Sequence, residues 1–201
     1  MIKKICFSDE GCVHCKSNFY TCYDVLQSSM KFEFSTGINI LEGEIDSGIF
    51  GISYLISMYN DTCAKTFMAP PVALVDGVEM PLKELTNKAC YLDHIHNPLF
   101  SKRISTRNLV EKGLKKSHLP YTANEICEIF RMEEFRFDRP VSGTGNEKFK
   151  AMAAVGFAWG KEIFCFPWLS KMRFEAFNNH MPQLFDVLEH LEKIVIMPMG
   201  R

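Results

Sequence analysis

At 201 residues the chain is long enough to bury a proper core and short enough for one compact domain. Hydrophobic residues make up 47% and charged residues 23%, which excludes a disordered or collagen-like polymer. Lys+Arg 23 against Asp+Glu 24 leaves a formal charge of −1, so no overall positive field points to nucleic acid or to an acidic membrane.

The N-terminal stretch MIKKICFSDEGCVHC carries two lysines but no apolar run behind them, unlike a secretory signal. No apolar run reaches the roughly 18 residues of a spanning helix. The eight cysteines are therefore read as reduced thiols of a cytoplasmic protein rather than as disulfides. Cys12-Val-His-Cys15 is a single CxxC. Its functional reading is half of a zinc site or a redox pair. Zinc needs two more ligands, and no second CxxC or HxxxH supplies them. The other reading is structural cysteines in an N-terminal hairpin.

Residues 31–34 (KFEF) alternate charge with aromatic, the pattern of an exposed strand, and Ser35-Thr36-Gly37 reads as a turn. Ile38 to Leu41 (INIL) reads as a more buried strand. A loop bounded by Gly43 and Gly48 follows. Ile49 to Tyr59 then has the apolar spacing of a largely buried helix. Residues 71–74 form a short apolar strand, with Asp76-Gly77 as a hairpin turn and 78–80 as its return. The segment 97–137 is charged and helical. VSGTG at 141–145 reads as a flexible loop, and Glu147 to Trp159 as a small-residue helix ended by Gly160. Ile163 to Phe166 (IFCF) has the continuous apolar character of a buried parallel strand. An amphipathic helix broken near Pro182 occupies 174–191, and Ile194 to Met197 (IVIM) is a last core strand. The order of elements predicts an α/β fold.

These landmarks follow a recognisable order: strand, Gly-bounded loop and helix; helical insert; loop and small-residue helix running into a buried strand; final helix and strand. From about Lys31 onward the chain resembles the ATP-binding cassette of ABC-type ATPases. The resemblance implies one cassette-like domain over 1–201. Its fold would be a P-loop NTPase-like mixed sheet flanked by helices, with an N-terminal antiparallel β part and a helical insert at about 97–137. In that alignment Gly43, Asp46, Ser47, Gly48, Ile49 and Phe50 stand where the Walker A loop would be. Asp93 and His94 fall at the Q-loop, and Thr144, Gly145, Asn146 and Glu147 at the signature loop. Pro167 and Trp168 end the Walker B strand. Tyr20 or Tyr23 takes the place of the adenine-stacking aromatic.

The departures fall where phosphoryl chemistry needs charge. A working P-loop reads G-x-x-x-x-G-K-[ST], its Lys reaching the β/γ oxygens and its hydroxyl holding Mg²⁺. Here Ile49 replaces the lysine and Phe50 the hydroxyl, while Asp46 places negative charge in the loop. The Walker B strand ends in Pro167-Trp168 instead of Asp-Glu, and no switch histidine follows the last strand. Losing three such groups costs on the order of 10 kcal/mol of barrier if each costs about 3.

The expectation is a degenerate cassette relative, a pseudoenzyme. It would act as a partner or regulatory subunit in a homodimer or heterodimer of cassettes, with a membrane permease as a more distant associate. ATP is the ligand the resemblance implies, Mg²⁺ has lost its protein ligands, and zinc is not expected. A second reading retains ATP binding and hydrolysis with residues supplied in trans. A third places the function in a zinc or thiol module at Cys12 and Cys15. Several local readings stay purely structural. Gly43 and Gly48 fit a tight turn, Thr144 and Glu147 fit a capping box, and Trp168 fits a plug in a vacated pocket.

Overall fold

The computed structural model describes residues 1–7, 13–16, 23–26, 32–43, 49–58, 64–67, 72–93, 103–177 and 180–200. In the strands at 13–16, 23–26 and 64–67, and at positions 50, 51, 54, 58 and 72, the description covers the backbone alone. The strands in chain order are β1 (Lys4–Phe7), β2 (Val13–Lys16), β3 (Tyr23–Leu26), β4 (Phe32–Ser35), β5 (Gly37–Glu42), β6 (Ala64–Phe67), β7 (Val72–Val75), β8 (Val78–Pro81), β9 (Ala89–Tyr91), β10 (Ile163–Cys165) and β11 (Ile194–Met199). The helices are α1 (Ile49–Met58), α2 (Leu82–Lys88), α3 (Thr106–Ser117), α4 (Ala123–Ile129), α5 (Glu134–Phe137), α6 (Lys148–Ala158), α7 (Lys171–Ala176) and α8 (Met181–His190).

The central sheet is wholly parallel, in the order β5-β11-β10-β9. It unites INIL and IFCF, the two segments on which the sequence reading rests. β11 lies between them, pairing Ile194 to Met199 with Gly37 to Glu42 on one side and Ile163 to Cys165 with Ile194 to Ile196 on the other. A second sheet, β4-β1-β7-β8, and a third, β3-β2-β6, are antiparallel. They supply the N-terminal β part.

Successive side chains of a strand point to opposite faces, so a strand apolar throughout must be covered on both. Ile163, Cys165, Ile194 and Ile196 face a core shared with α1 and the β4-β1-β7-β8 sheet. Phe164, Phe166, Val195 and Met197 face the opposite core, filled by α6, α8 and the helical insert. α6 comes close to the sheet because Gly156 has no side chain. A Cβ there would stand 2.8 Å from Cys90 Sγ and 3.0 Å from Phe164 Cε1.

Several local expectations are corrected. KFEF is not an exposed strand: Phe32 and Phe34 are buried, and only the alternate residues face water. INIL is not a buried strand. β5 is an edge of the parallel sheet, with Ile40 48% exposed. VSGTG is a 3-10 turn at Val141–Gly143 rather than a featureless loop. The helix expected over 174–191 is two, and Pro182 sits in the first turn of α8, where its missing N–H costs nothing. α2 was not anticipated. It docks through a Thr86 hydroxyl that donates to Ile56 O at the end of α1.

The insert holds three helices fastened by one cation. The Arg107 guanidinium, on α3, reaches Asp138, Asn124 and Glu134, and lies 5.1 Å from the centre of the Phe137 ring. Across the sheet, Glu162 accepts from Ile2 N at 2.7 Å and pairs with Lys88 at 3.4 Å.

Two outcomes follow from this packing. Overpacking a core costs about 1–3 kcal/mol, whereas Ala gains up to about 1 kcal/mol over Gly in a helix. Gly156→Ala should therefore lose about 1 kcal/mol net in urea unfolding, and less in a Cys90→Ala background; an unchanged or raised midpoint would contradict the close approach. Burial alone would raise the Glu162 carboxyl, but the Ile2 N–H, the N-terminal ammonium and Lys88 outweigh it and hold it below its ordinary 4.5. A depressed folded value contributes stability above the unfolded pKa and loses it as pH falls through the folded one. Glu162→Gln should thus be less stable at neutral pH and less pH-dependent below about 4.5, as read by thermal melts across a pH series.

Candidate functional site

In open α/β sheets ligands bind beyond the carboxyl ends of the parallel strands. Here those ends are Gly43 after β5, Gly200 after β11, Phe166 to Trp168 after β10 and Leu92-Asp93 after β9. Backbone bonds lock them together. Gly43 N donates to Met199 O at 2.9 Å, Phe166 N to Ile196 O at 2.9 Å, Leu92 N to Cys165 O at 2.8 Å and Gly200 N to Leu169 O at 3.0 Å.

Trp168 fills the middle of this edge. Its indole Nε1 donates to Gly43 O at 3.3 Å. Its ring lies against Gly200, where a Cβ would fall 2.8 Å from Trp168 Cζ2. The residue is partly buried. The end of β10 is thus tied to the start of the Gly43 loop by an aromatic side chain, where phosphoryl chemistry would require carboxylates. Pro167 beside it is half-buried and offers no ionisable group. Ile49 opens α1 inside the core, 8% exposed, and packs with Ile52 and Leu55. Phe50 continues the α1 backbone. Asp46, Ser47 and Gly48 lie outside the described residues.

Asp93 is half-buried just past β9; His94 lies outside the described residues. Sequence reading missed its neighbour Lys148, the first residue of α6. Burial lowers the Lys148 ammonium below its ordinary value, Asp93 draws it back up, and Arg173 pushes it down. Its Nζ lies 4.9 Å from the Phe149 ring centre and 5.1 Å from that of Phe177. The signal was hidden in the run Glu147-Lys148-Phe149-Lys150, which looks like a solvated face.

The Thr144–Glu147 loop leads into α6 through a 3-10 turn at Gly145–Glu147, with Gly145 at φ +62°. The expected capping box does not form there. The Thr144 hydroxyl turns inward to Val141 O at 2.7 Å, and the Glu147 carboxylate accepts from Glu133 N at 3.3 Å. Asn146 is exposed. A capping box forms instead at Thr122 with Glu125. Tyr23 lies in β3, and Cys15 in β2 faces it in the ladder. Tyr20 and Cys12 lie outside the described residues. Among the described residues no cluster of His, Cys, Asp or Glu could hold a metal, and no helix is long and apolar enough to cross a membrane.

Solved structures share the overall fold. A putative ABC transporter ATP-binding protein from Pyrococcus furiosus superposes with a TM-score of 0.64 at 14% identity, over 98% of this chain and 92% of that one. A dimeric ATP-binding cassette in a post-hydrolysis state, bound to ADP and Pi, gives 0.61 at 12% identity, over 98% and 88%. Clostridium perfringens cbiO1, part of the ABC transporter complex cbiONQ, gives 0.63 at 12% identity, over 100% and 80%. The chain has the ATP-binding-cassette fold. Within that fold the parallel edge just described is where the sequence resemblance puts the phosphate loop and the Walker B strand. No family model and no curated protein matches the chain by sequence.

The Trp168 contact can be measured. Trp168→Phe keeps a smaller aromatic ring and deletes the donor, and a typical hydrogen bond contributes about 1 kcal/mol net. The loss expected is at least about 1 kcal/mol in chemical unfolding. Trp168→Ala, which also removes the packing on Gly200, should lose about 3–5 kcal/mol if the ring behaves as core. A Trp168→Ala variant as stable as the wild type would show that the ring closes nothing.

Proposed function

We propose that this chain is a non-hydrolysing cassette-fold protein, a partner or regulatory subunit of an ABC-type assembly. The observation that carries the reading is the Trp168 seat at the carboxyl end of β10, joined to Gly43 O. A cassette that cleaves a phosphoanhydride has to present an oxygen ligand for Mg²⁺ and a group that positions water. This chain presents Pro167 and an indole in their place. The lysine position is Ile49, packed into the core. Charge development in the transition state would go uncompensated at each of these points, and electrostatic compensation supplies most of the rate in such reactions.

The fold has two uses that need no hydrolysis. It can offer a cassette-shaped surface to a companion that keeps the Lys, Asp and Glu, or to a second copy of itself. It can also relay the state of that companion to a permease. The dimeric cassettes among the similar structures support the first use by shape alone.

The deciding measurement is phosphate release from Mg-ATP by the purified chain, alone and with a permease-free companion cassette of intact motifs. Alone, the expected release equals the buffer background. With the companion, release should depend on the companion's lysine and not on Trp168 or Ile49 of this chain. Turnover near one per second by the chain alone, within the ordinary range of enzymes, would refute the proposal.

A further inference from the structure

A cleft of about 210 Å³ lies between α5 and the Thr144–Asn146 loop. Phe135, Arg136, Arg139 and Asn146 stand around it. Phe135 is 54% exposed. Both guanidinium groups lie over its ring, Arg136 at 5.5 Å and Arg139 at 5.3 Å from the centroid. Two like charges gathered on one ring repel each other, so the arrangement has to be held from outside the pair. Arg136 donates to Thr144 O at 3.1 Å. The Arg139 backbone is pinned from α3, its carbonyl accepting from Thr106 N at 2.8 Å and from the Thr106 hydroxyl at 2.9 Å.

Of the nearby acids, Glu133 is exposed to water and three others are engaged elsewhere. Glu134 and Asp138 serve Arg107, and Glu147 is 4% exposed and bonded to Glu133 N. Among the described residues neither Arg136 nor Arg139 makes an ion pair. A guanidinium pair without an ion-pair partner among the described residues, beside an exposed aromatic, matches the composition of protein-interface hot spots, which favour Arg and aromatics. The loop's own hydroxyl faces away from the cleft, since Thr144 is 1% exposed and donates to Val141 O. That leaves two guanidinium groups, Asn146 and an apolar ring around the cleft.

We infer that this cleft docks an acidic segment of a partner protein, a carboxylate side chain seated between Arg136 and Arg139 and an apolar neighbour laid on Phe135. The inference does not depend on whether the Gly43 edge accepts nucleotide, and it can fail on its own.

The test uses the full chain and a fluorescein-labelled peptide of alternating glutamate, leucine and serine, with its glutamine counterpart as control. Fluorescence anisotropy should show binding of the glutamate peptide that weakens with salt and no binding of the glutamine peptide. Arg139→Glu should weaken it at least about tenfold, since like charges then face each other. Phe135→Ala should weaken it while leaving the salt dependence in place. Both positions are exposed, and circular dichroism melts verify that the variants are folded. Equal binding of the two peptides, or indifference to Arg139→Glu, would overturn the inference. So would displacement by inorganic pyrophosphate combined with indifference to Phe135→Ala, because the cleft would then be a phosphate site. The phosphate-release measurement above separates failure here from failure of the proposed function.

Discussion

The parallel ladder between β5 and β11 is the constraint on which the rest of the molecule depends. Six consecutive pairs run from Gly37–Ile194 to Glu42–Met199. They bring the strand that enters the Gly43 loop beside the last strand of the chain, across a sequence separation of more than 150 residues. Without that register Gly43 would not donate to Met199, Gly200 would not meet the indole, and Trp168 would have no carbonyl to bond. Register in a sheet buried on both faces is strongly specified, because a slip of one residue exchanges the two cores. Here it would send Ile196 toward α6 and Val195 toward α1.

Gly43 and Trp168 meet at that edge. A phosphate site needs fixed positive potential and a metal with oxygen ligands. In the reading proposed above, Ile49 and Trp168 stand where those groups would be. Both side chains also take part in the packing. Ile49 joins the α1 core, and Trp168 covers the ends of three strands, so restoring charge at either position would put an ion into a space shaped for carbon. On the same rim burial lowers the Lys148 ammonium and Asp93 draws it back up. An attracted pair across the ends of β9 and α6 is a different object from an ion waiting for a ligand.

How much of this was legible in the sequence depended on the range of the interaction. The parallel strands were readable because IFCF and IVIM are apolar at every position, which only two-sided burial explains. α1 and α6 were readable from periodicity and small residues. β5 was misjudged because INIL has the composition of an interior strand, and nothing local says that its outer edge goes unpaired. KFEF was misjudged in the opposite sense, since alternation shows that one face is buried without showing which one meets a second sheet. The capping box was placed at the wrong threonine because T-x-x-E occurs at both 122 and 144. At 144 the preceding 3-10 turn consumes the hydroxyl. Trp168 could be read as a plug, but its partners Gly43 and Gly200, like those of Arg107, were invisible, because only the fold brings them together.

The helical insert shows how the same residue type takes on opposite meanings. Arg107 and Arg139 both contact an aromatic ring and both lie on the α3–α5 unit. Arg107 is enclosed by Asp138, Asn124 and Glu134, so its charge is cancelled by groups of its own chain and its effect is mechanical, holding three short helices that none could sustain alone. Arg139 receives no such partner among the described residues, while its backbone is fixed by Thr106. Side-chain entropy is the usual reason that exposed charges contribute little. A guanidinium resting on a ring, on a pinned backbone, has already lost part of that freedom. The cost of ordering it is then met within the fold instead of at the moment of contact, and pre-organisation of this kind turns a surface arginine into a recognition element.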